Sequence, residues 1–311
     1  MKLEKLDRRD FIARSAAAGA VALGSSPAGA DPLGLPVGIQ LYSVKDSLQV
    51  DVPGTLKQLR EFGFREVENY NFGGLSAPEF RRRLDDAGLA CPSTHLHFDA
   101  DKFDAEFADA QAIGAHYVVS SLLRRGTGPL PYEGAPPKGL DAPMRAMTLE
   151  DAHRTAELAN HIGEQARRAG LQYAYHNHYL EFVKQEGGQI GYDILLHETD
   201  PKLVQLEIDC GWMSVAGRNP VDYFKAYPGR IPMIHVKDFL PPANTTAPGD
   251  QGAQRFGREL GRGSIDYRPI FAAAKAAGGL RHYFSEQEAP YARMSQMQAA
   301  QVAYQFLHRL S

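Results

Sequence analysis

The residues with chemistry to offer fall in four short stretches: Tyr175-His176-Asn177-His178, Glu207-Ile208-Asp209-Cys210, His235-Val236-Lys237-Asp238 and Ser285-Glu286-Gln287-Glu288. Each closes an apolar run that reads as a β-strand. Side chains two apart on a strand share a side, so His176 goes with His178, Glu207 with Asp209, His235 with Lys237, and Glu286 with Glu288. Imidazoles and carboxylates are costly to bury unpaired, and four strands that finish in them call for a shared cation or a bound substrate. At least one of His176 and His178 reads as a ligand or substrate contact, the Glu286/Glu288 pair suits a metal ligand plus a general base, and Lys237 can polarise a carbonyl or move a proton. A lysine beside such a cation is expected to carry a depressed pKa. Asp209 reads as a ligand or the partner of a basic group rather than as a helix cap.

The elements that must position these groups alternate along the chain. Strands are predicted over Val37–Tyr42, Glu66–Asn69, Leu89–His97, His116–Ser121, Leu171–His178, Val204–Asp209, Ile231–Asp238 and His282–Glu286. Helices are predicted over Val52–Phe62, Ala77–Ala87, Phe103–Ile113, Leu149–Arg168, Pro220–Ala226, Asp266–Ala277 and Tyr291–Leu310. Glycines such as Gly63, Gly88, Gly114 and Gly170 stand between a helix and the next strand, as C-cap chemistry requires. Eight such alternations give an α/β fold, a (β/α)8 TIM barrel in a single domain, with its site at the C-terminal face.

Substrate contacts are expected from Glu68 and Asn69 at the end of the second strand and from His95 and His97 on the third. Glu181 just beyond the fifth strand, Trp212 as a stacking surface, and Gln40 with Tyr42 as a polar floor complete that set. The Pro- and Gly-rich stretches Arg124–Pro143 and Leu240–Gly263 follow strands and read as lids or binding loops. Gly257–Gly263 lacks the preceding strand of a nucleotide-binding loop and is not read as a phosphate cradle. Cys91 and Cys210 lie in separate apolar strands and are expected to be free thiols.

Residues 1–30 carry Arg8-Arg9-Asp10-Phe11-Ile12, a small apolar stretch Ala16–Leu23, and Ala28-Gly29-Ala30. This order reads as a twin-arginine signal peptide, with the barrel in 31–311 and a periplasmic destination. Its apolar core is too short for stable membrane insertion. Of 34 Lys/Arg and 37 Asp/Glu, this segment holds five and three, which leaves 29 against 34, a net charge of −5. An acidic surface argues against nucleic acid as a partner, since phosphate binding needs concentrated positive charge.

Together these residues resemble the xylose isomerase-like TIM barrel superfamily of sugar-phosphate isomerases and epimerases, over essentially all of 31–311. The resemblance implies one divalent metal ion, Mn, Co, Zn or Mg, held at the ends of the fifth to eighth strands, commonly by Glu, Asp, His and Glu. Asp209, His235 and Glu286 match the last three, and His176 stands where a Glu is usual; Glu181 is the other group able to complete the set. The Tyr-His-x-His fifth strand looks closer to a branch with inosose dehydratase-like lyases. The implied function is a metal-dependent sugar isomerase/epimerase that abstracts a proton next to a carbonyl of an unphosphorylated sugar or keto-sugar. A lyase or dehydratase on a keto-glycoside or inosose-like substrate is the alternative, and a non-catalytic metal-dependent sugar-binding protein is the alternative of another class. A small sugar and a second copy of the chain are the partners it admits.

Overall fold

The computed structural model describes residues 32–97, 103–121, 123, 146–240, 257–288 and 294–310. Eight parallel strands close into a barrel: β1 Val37–Gln40, β2 Glu66–Asn69, β3 Ala90–His95, β4 Tyr117–Ser120, β5 Gln172–His176, β6 Val204–Asp209, β7 Met233–Val236 and β10 His282–Ser285, with β10 pairing back onto β1. Asp238–Phe239 (β8) and Gly257–Arg258 (β9) form a separate antiparallel ladder beyond the end of β7. The TIM barrel expected from the alternation is therefore present.

The period of two sorts each strand into two faces. Val37, Ile39, Val67, Val118, Tyr173, Tyr175, Leu206, Ile208, Ile234, Val236 and Tyr283 join the large core between strands and helices. Tyr117, Val119, Ala174, Met233 and Phe284 fill the lower barrel as a small apolar plug. Above that plug the inward positions turn polar, with Gln40, Glu68, Ser93, His176, Glu207, Asp209 and His235 all buried.

Helix bounds follow local chemistry. Asp51 accepts from Gly54 N–H to cap helix Val52–Phe62, and Ser76, Thr148 and Ser295 start three other helices with reciprocal capping boxes. Each such cap is worth about 1 kcal/mol. Five predicted helices have the expected bounds: Val52–Phe62, Ala77–Ala87, Phe103–Ile113, Leu149–Arg168 and Pro220–Ala226. The helices Gly191–Glu198 and Cys210–Val215 were not anticipated, the first because its pattern is short and mixed, the second because it starts on the strand's last residue. Cys91 and Cys210 are buried and free, as expected.

The segment 1–30 and the stretch Arg124–Pro143 lie outside the described residues. Of Leu240–Gly263, only Leu240 and 257–263 are described. The base of that loop is anchored by Asp238, whose carboxylate accepts from the N–H groups of Phe239, Gly261, Gly263 and Ile265 at 2.9–3.2 Å. Among the described residues no helix is long and apolar enough to cross a membrane.

Candidate metal centre

Strand ends bring His176 (β5), Asp209 (β6), His235 (β7) and Glu286, just past β10, to one place: each offers a ligand atom within 4.8 Å of the others. Neighbouring register makes this possible, since Asp209 pairs with His235 and Phe284 with His235 across the ladder. His235 Nδ1 lies 3.0 Å from Glu286 Oε2.

Asp209 plays two parts. Its Oδ1 accepts from Trp212 N–H at 2.7 Å and caps helix Cys210–Val215, a role added to that of partner to a basic group. A carboxylate has two oxygens, and Oδ2 is left for the cluster: it accepts no hydrogen bond and has Lys237 Nζ at 3.2 Å. Gly211 lets that helix start sit against the lysine, because a Cβ there would stand 2.8 Å from Lys237 Cβ and 2.9 Å from its carbonyl oxygen.

Lys237 Nζ lies 2.7 Å from Glu286 Oε2 and 2.6 Å from Glu288 Oε1 as well. Burial pulls its pKa down, but Asp209, Glu286 and Glu288 together hold it well above the usual lysine value. In this arrangement of side chains three carboxylates outweigh desolvation and favour the ammonium form. Tyr267 fixes its backbone, accepting from Lys237 N–H at 2.8 Å and donating to Lys237 C=O at 2.5 Å. Glu286 is the mirror case, pushed up by burial and brought well below the usual carboxylate range by Lys237 and His235.

Beneath this mouth lies a second layer. His95, His176, Glu207 and His235 also converge within 4.8 Å. Glu207 Oε2 has His176 Nδ1 at 3.1 Å, His95 Nε2 at 3.3 Å and His235 Nε2 at 3.4 Å. Glu68 takes Gln40 Nε2 at 2.8 Å, Ser93 Oγ at 2.6 Å and His235 Nε2 at 2.6 Å, with His95 Nε2 at 3.3 Å. Burial and the neighbouring Glu68 push Glu207 up to about 7. Burial pulls His95 down, yet Glu68 and Glu207 lift it to about 10. Sequence reasoning saw that Glu207 shares a side with Asp209 but did not single it out; the alternation Gln205-Leu206-Glu207-Ile208-Asp209 was the available signal.

The other expected contacts divide. Glu288 joins the mouth through Lys237, and His178 stands beside His176 with ring centroids 5.1 Å apart. Burial, then the charge of Lys237, lowers His178 to about 3, and its Nδ1 has no hydrogen-bond partner. Trp212 is 2 % exposed and packs with Tyr179 and Phe239, so its faces are covered rather than open for stacking. Among the described residues its indole N–H has no hydrogen-bond partner. Trp212 lines a small open cleft together with Lys237, Asp238, Phe239, Gly257, Gln287 and Glu288. Glu68 lies fully buried under the site instead of on a pocket wall, with Gln40 bonded to it. Asn69 turns to Thr94, and Tyr42 sits at the rim against Tyr70. Glu181 accepts from Tyr175 O–H and His178 N–H, behind β5 and away from the cluster. His97, 81 % exposed, pairs with Glu106 and is not brought to the mouth.

The mouth set fits a divalent ion. Two imidazoles and two carboxylates make an N2O2 donor set of the type borderline metals take, and Asp209 Oδ2 is a buried oxygen with no hydrogen bond among the described residues and an ion pair to Lys237. In the lower set Glu207 Oε2 is shared by three histidine nitrogens, while its Oε1 has no hydrogen-bond partner among the described residues.

A family model described as xylose isomerase-like TIM barrel matches residues 56–307. The chain belongs to this family. It is 31% identical over 137 residues to the inosose dehydratase of Lacticaseibacillus casei, a match covering 42% of this chain and 45% of that protein. The chain thus spans less than half the length of the curated relatives it matches. A sugar phosphate isomerase/epimerase from Parabacteroides distasonis superposes with a TM-score of 0.67 at 22% identity, covering 94% of this chain and 98% of that one. The zinc-bound IolI protein superposes with a TM-score of 0.67 at 14% identity, covering 89% and 98%. At these identities the two structures speak to the fold alone.

Proposed function

We propose that the protein is a divalent-metal-dependent sugar isomerase or epimerase that removes a proton next to a carbonyl of an unphosphorylated sugar or keto-sugar. The observation that carries this reading is the convergence of His176, Asp209, His235 and Glu286 beside the buried ammonium of Lys237. These four residues would hold the ion. A bound Mn, Co, Zn or Mg ion supplies Lewis-acid stabilisation of negative charge on substrate oxygens.

Glu286, kept ionised, takes the proton from carbon. Lys237, kept charged, hydrogen-bonds the carbonyl oxygen as its charge grows and can deliver a proton to it. His178, neutral and with Nδ1 unpartnered, faces the same space. Return of the proton to the neighbouring carbon gives an isomer, and return to the opposite face gives an epimer. The cleft beside Lys237 and Trp212 offers an ammonium and carboxylates for hydroxyl groups, and its lining among the described residues holds no cluster of basic groups for a phosphate.

A lyase is the second reading, supported by the dehydratase relatives and by the charge on Lys237. There Glu286 takes the C–H proton, the C–O bond at the next carbon breaks, and Lys237 protonates the departing oxygen as water or alcohol. Metal analysis of the purified protein followed by NMR in deuterium oxide with free sugars, 3-keto-sugars and keto-glycosides decides among these. Metal-dependent exchange of one carbon-bound proton without loss of mass supports the isomerase or epimerase; loss of water or alcohol supports the lyase. Bound metal with no exchange leaves a sugar-binding protein, and no metal removes the site. Residues 1–30 would export the folded enzyme to the periplasm, which fractionation of cells carrying Arg8→Lys/Arg9→Lys tests: retention in the cytoplasm is expected.

A further inference from the structure

We propose that Glu68 and Glu207 are positioning residues for this metal centre: from below, each accepts the ring N–H of one histidine and so turns that imidazole's lone pair toward the mouth. The inference rests on the reading of the mouth as a metal site. A neutral imidazole has one N–H and one lone pair, so whatever claims the N–H decides which nitrogen can ligate.

For His235 the claimant is Glu68. Its Oε2 stands 2.6 Å from Nε2, while Nδ1 lies at the mouth, 3.0 Å from Glu286. Glu68 is itself pinned from both neighbouring strands by its own register partners. Gln40 of β1 and Ser93 of β3 are paired with it in the ladder and donate to it at 2.8 and 2.6 Å. A carboxylate held on both sides in this way cannot swing to meet substrate, and its second role is to hold the ring.

For His176 the claimant is Glu207. The two are register partners across β5 and β6, and Glu207 Oε2 lies 3.1 Å from Nδ1. That contact leaves Nε2 as the nitrogen with a lone pair. Glu207 and Asp209 occupy successive inward positions of one strand, so β6 supplies a mouth oxygen and, one layer down, the group that orients the ring beside it. His95, within 3.3 Å of both carboxylates, ties Glu68 to Glu207 and spaces the two supports. A carboxylate at position 176 would face Glu207 at the same short distance, so a histidine there and a glutamate at 207 belong together.

The test is cobalt binding by the full metal-free chain, followed by calorimetry and by the visible spectrum of the bound ion. Glu68→Gln and Glu207→Gln are expected to weaken cobalt binding by roughly 10–100-fold and to alter the spectrum, while the metal-free melting temperature changes little. His176→Glu is expected to bind poorly, and His176→Glu/Glu207→Gln to recover binding, a rescue that a merely structural glutamate would not produce. Should Glu68→Gln fail to fold, Ser93→Ala, which removes one of its pins, is expected to weaken binding in the same direction. Unchanged affinity and spectrum in both glutamine variants overturns the inference while leaving the metal site standing. Absence of cobalt binding by the unmodified chain overturns the proposed function and this inference with it.

Discussion

At the scale of single residues, the site is governed by which charges are allowed to stay buried. Lys237 keeps its proton only because Asp209, Glu286 and Glu288 surround it. Lys237→Met should leave those carboxylates uncompensated and lower turnover at least 100-fold, with steady-state kinetics on the substrate found by NMR as the check. Asp209→Ala or His235→Ala should remove both bound metal and turnover, read by elemental analysis of the purified variants. Glu181 has a different consequence. Burial raises its pKa from the ordinary value to about 7 in the fold, so it stabilises when protonated, below the unfolded value, and that stability is lost as pH rises through about 7. The size of this effect is about 3 kcal/mol. Glu181→Gln removes the titration, so its melting temperature relative to the unmodified protein should rise steadily between pH 5 and pH 8; a constant difference would contradict the buried, uncompensated carboxylate.

At the scale of elements, the strand ends and the short pieces after them do the placing. The helix Cys210–Val215 begins on Asp209 and packs under Lys237 through Gly211, where a methyl group has no room against Lys237 Cβ and backbone. Gly211→Ala should cost about 2 kcal/mol and displace the lysine, visible as a lower melting point together with weakened turnover. Asp238 gathers four backbone N–H groups at the base of the loop after β8. Asp238→Ala leaves those donors without their acceptor and should cost about 3 kcal/mol, with faster amide hydrogen exchange confined to 257–265 as the local signature. Five helices and two strands, β2 and β6, were legible to the residue in the sequence because their signals are local, such as the cap Asp51 before and Gly63 after helix Val52–Phe62. The helix Cys210–Val215 was not, because its start residue also ends a strand and its cap is the same carboxylate that serves the cluster.

At the scale of the whole molecule, a closed barrel makes one shared cavity from residues far apart in the chain. An ion that binds only the folded state stabilises it by about 2.7 kcal/mol at 100 times its dissociation constant, so chelation should lower the melting temperature by several degrees and added metal restore it. That response should vanish in Asp209→Ala. The sequence by itself determined the number and order of the eight barrel strands and which strand-end side chains share a side, because alternation with period two is written in consecutive residues. It did not determine what those groups would meet. Glu68, expected at a pocket wall, lies buried against His235, 167 positions away; Trp212, expected to offer a stacking surface, packs with Tyr179 and Phe239; Lys237, expected beside a cation, has three carboxylates around it. Barrel closure and strand register decided these outcomes, since a side chain's partners and charge depend on which strands face it across the barrel, and no local pattern carries that distance.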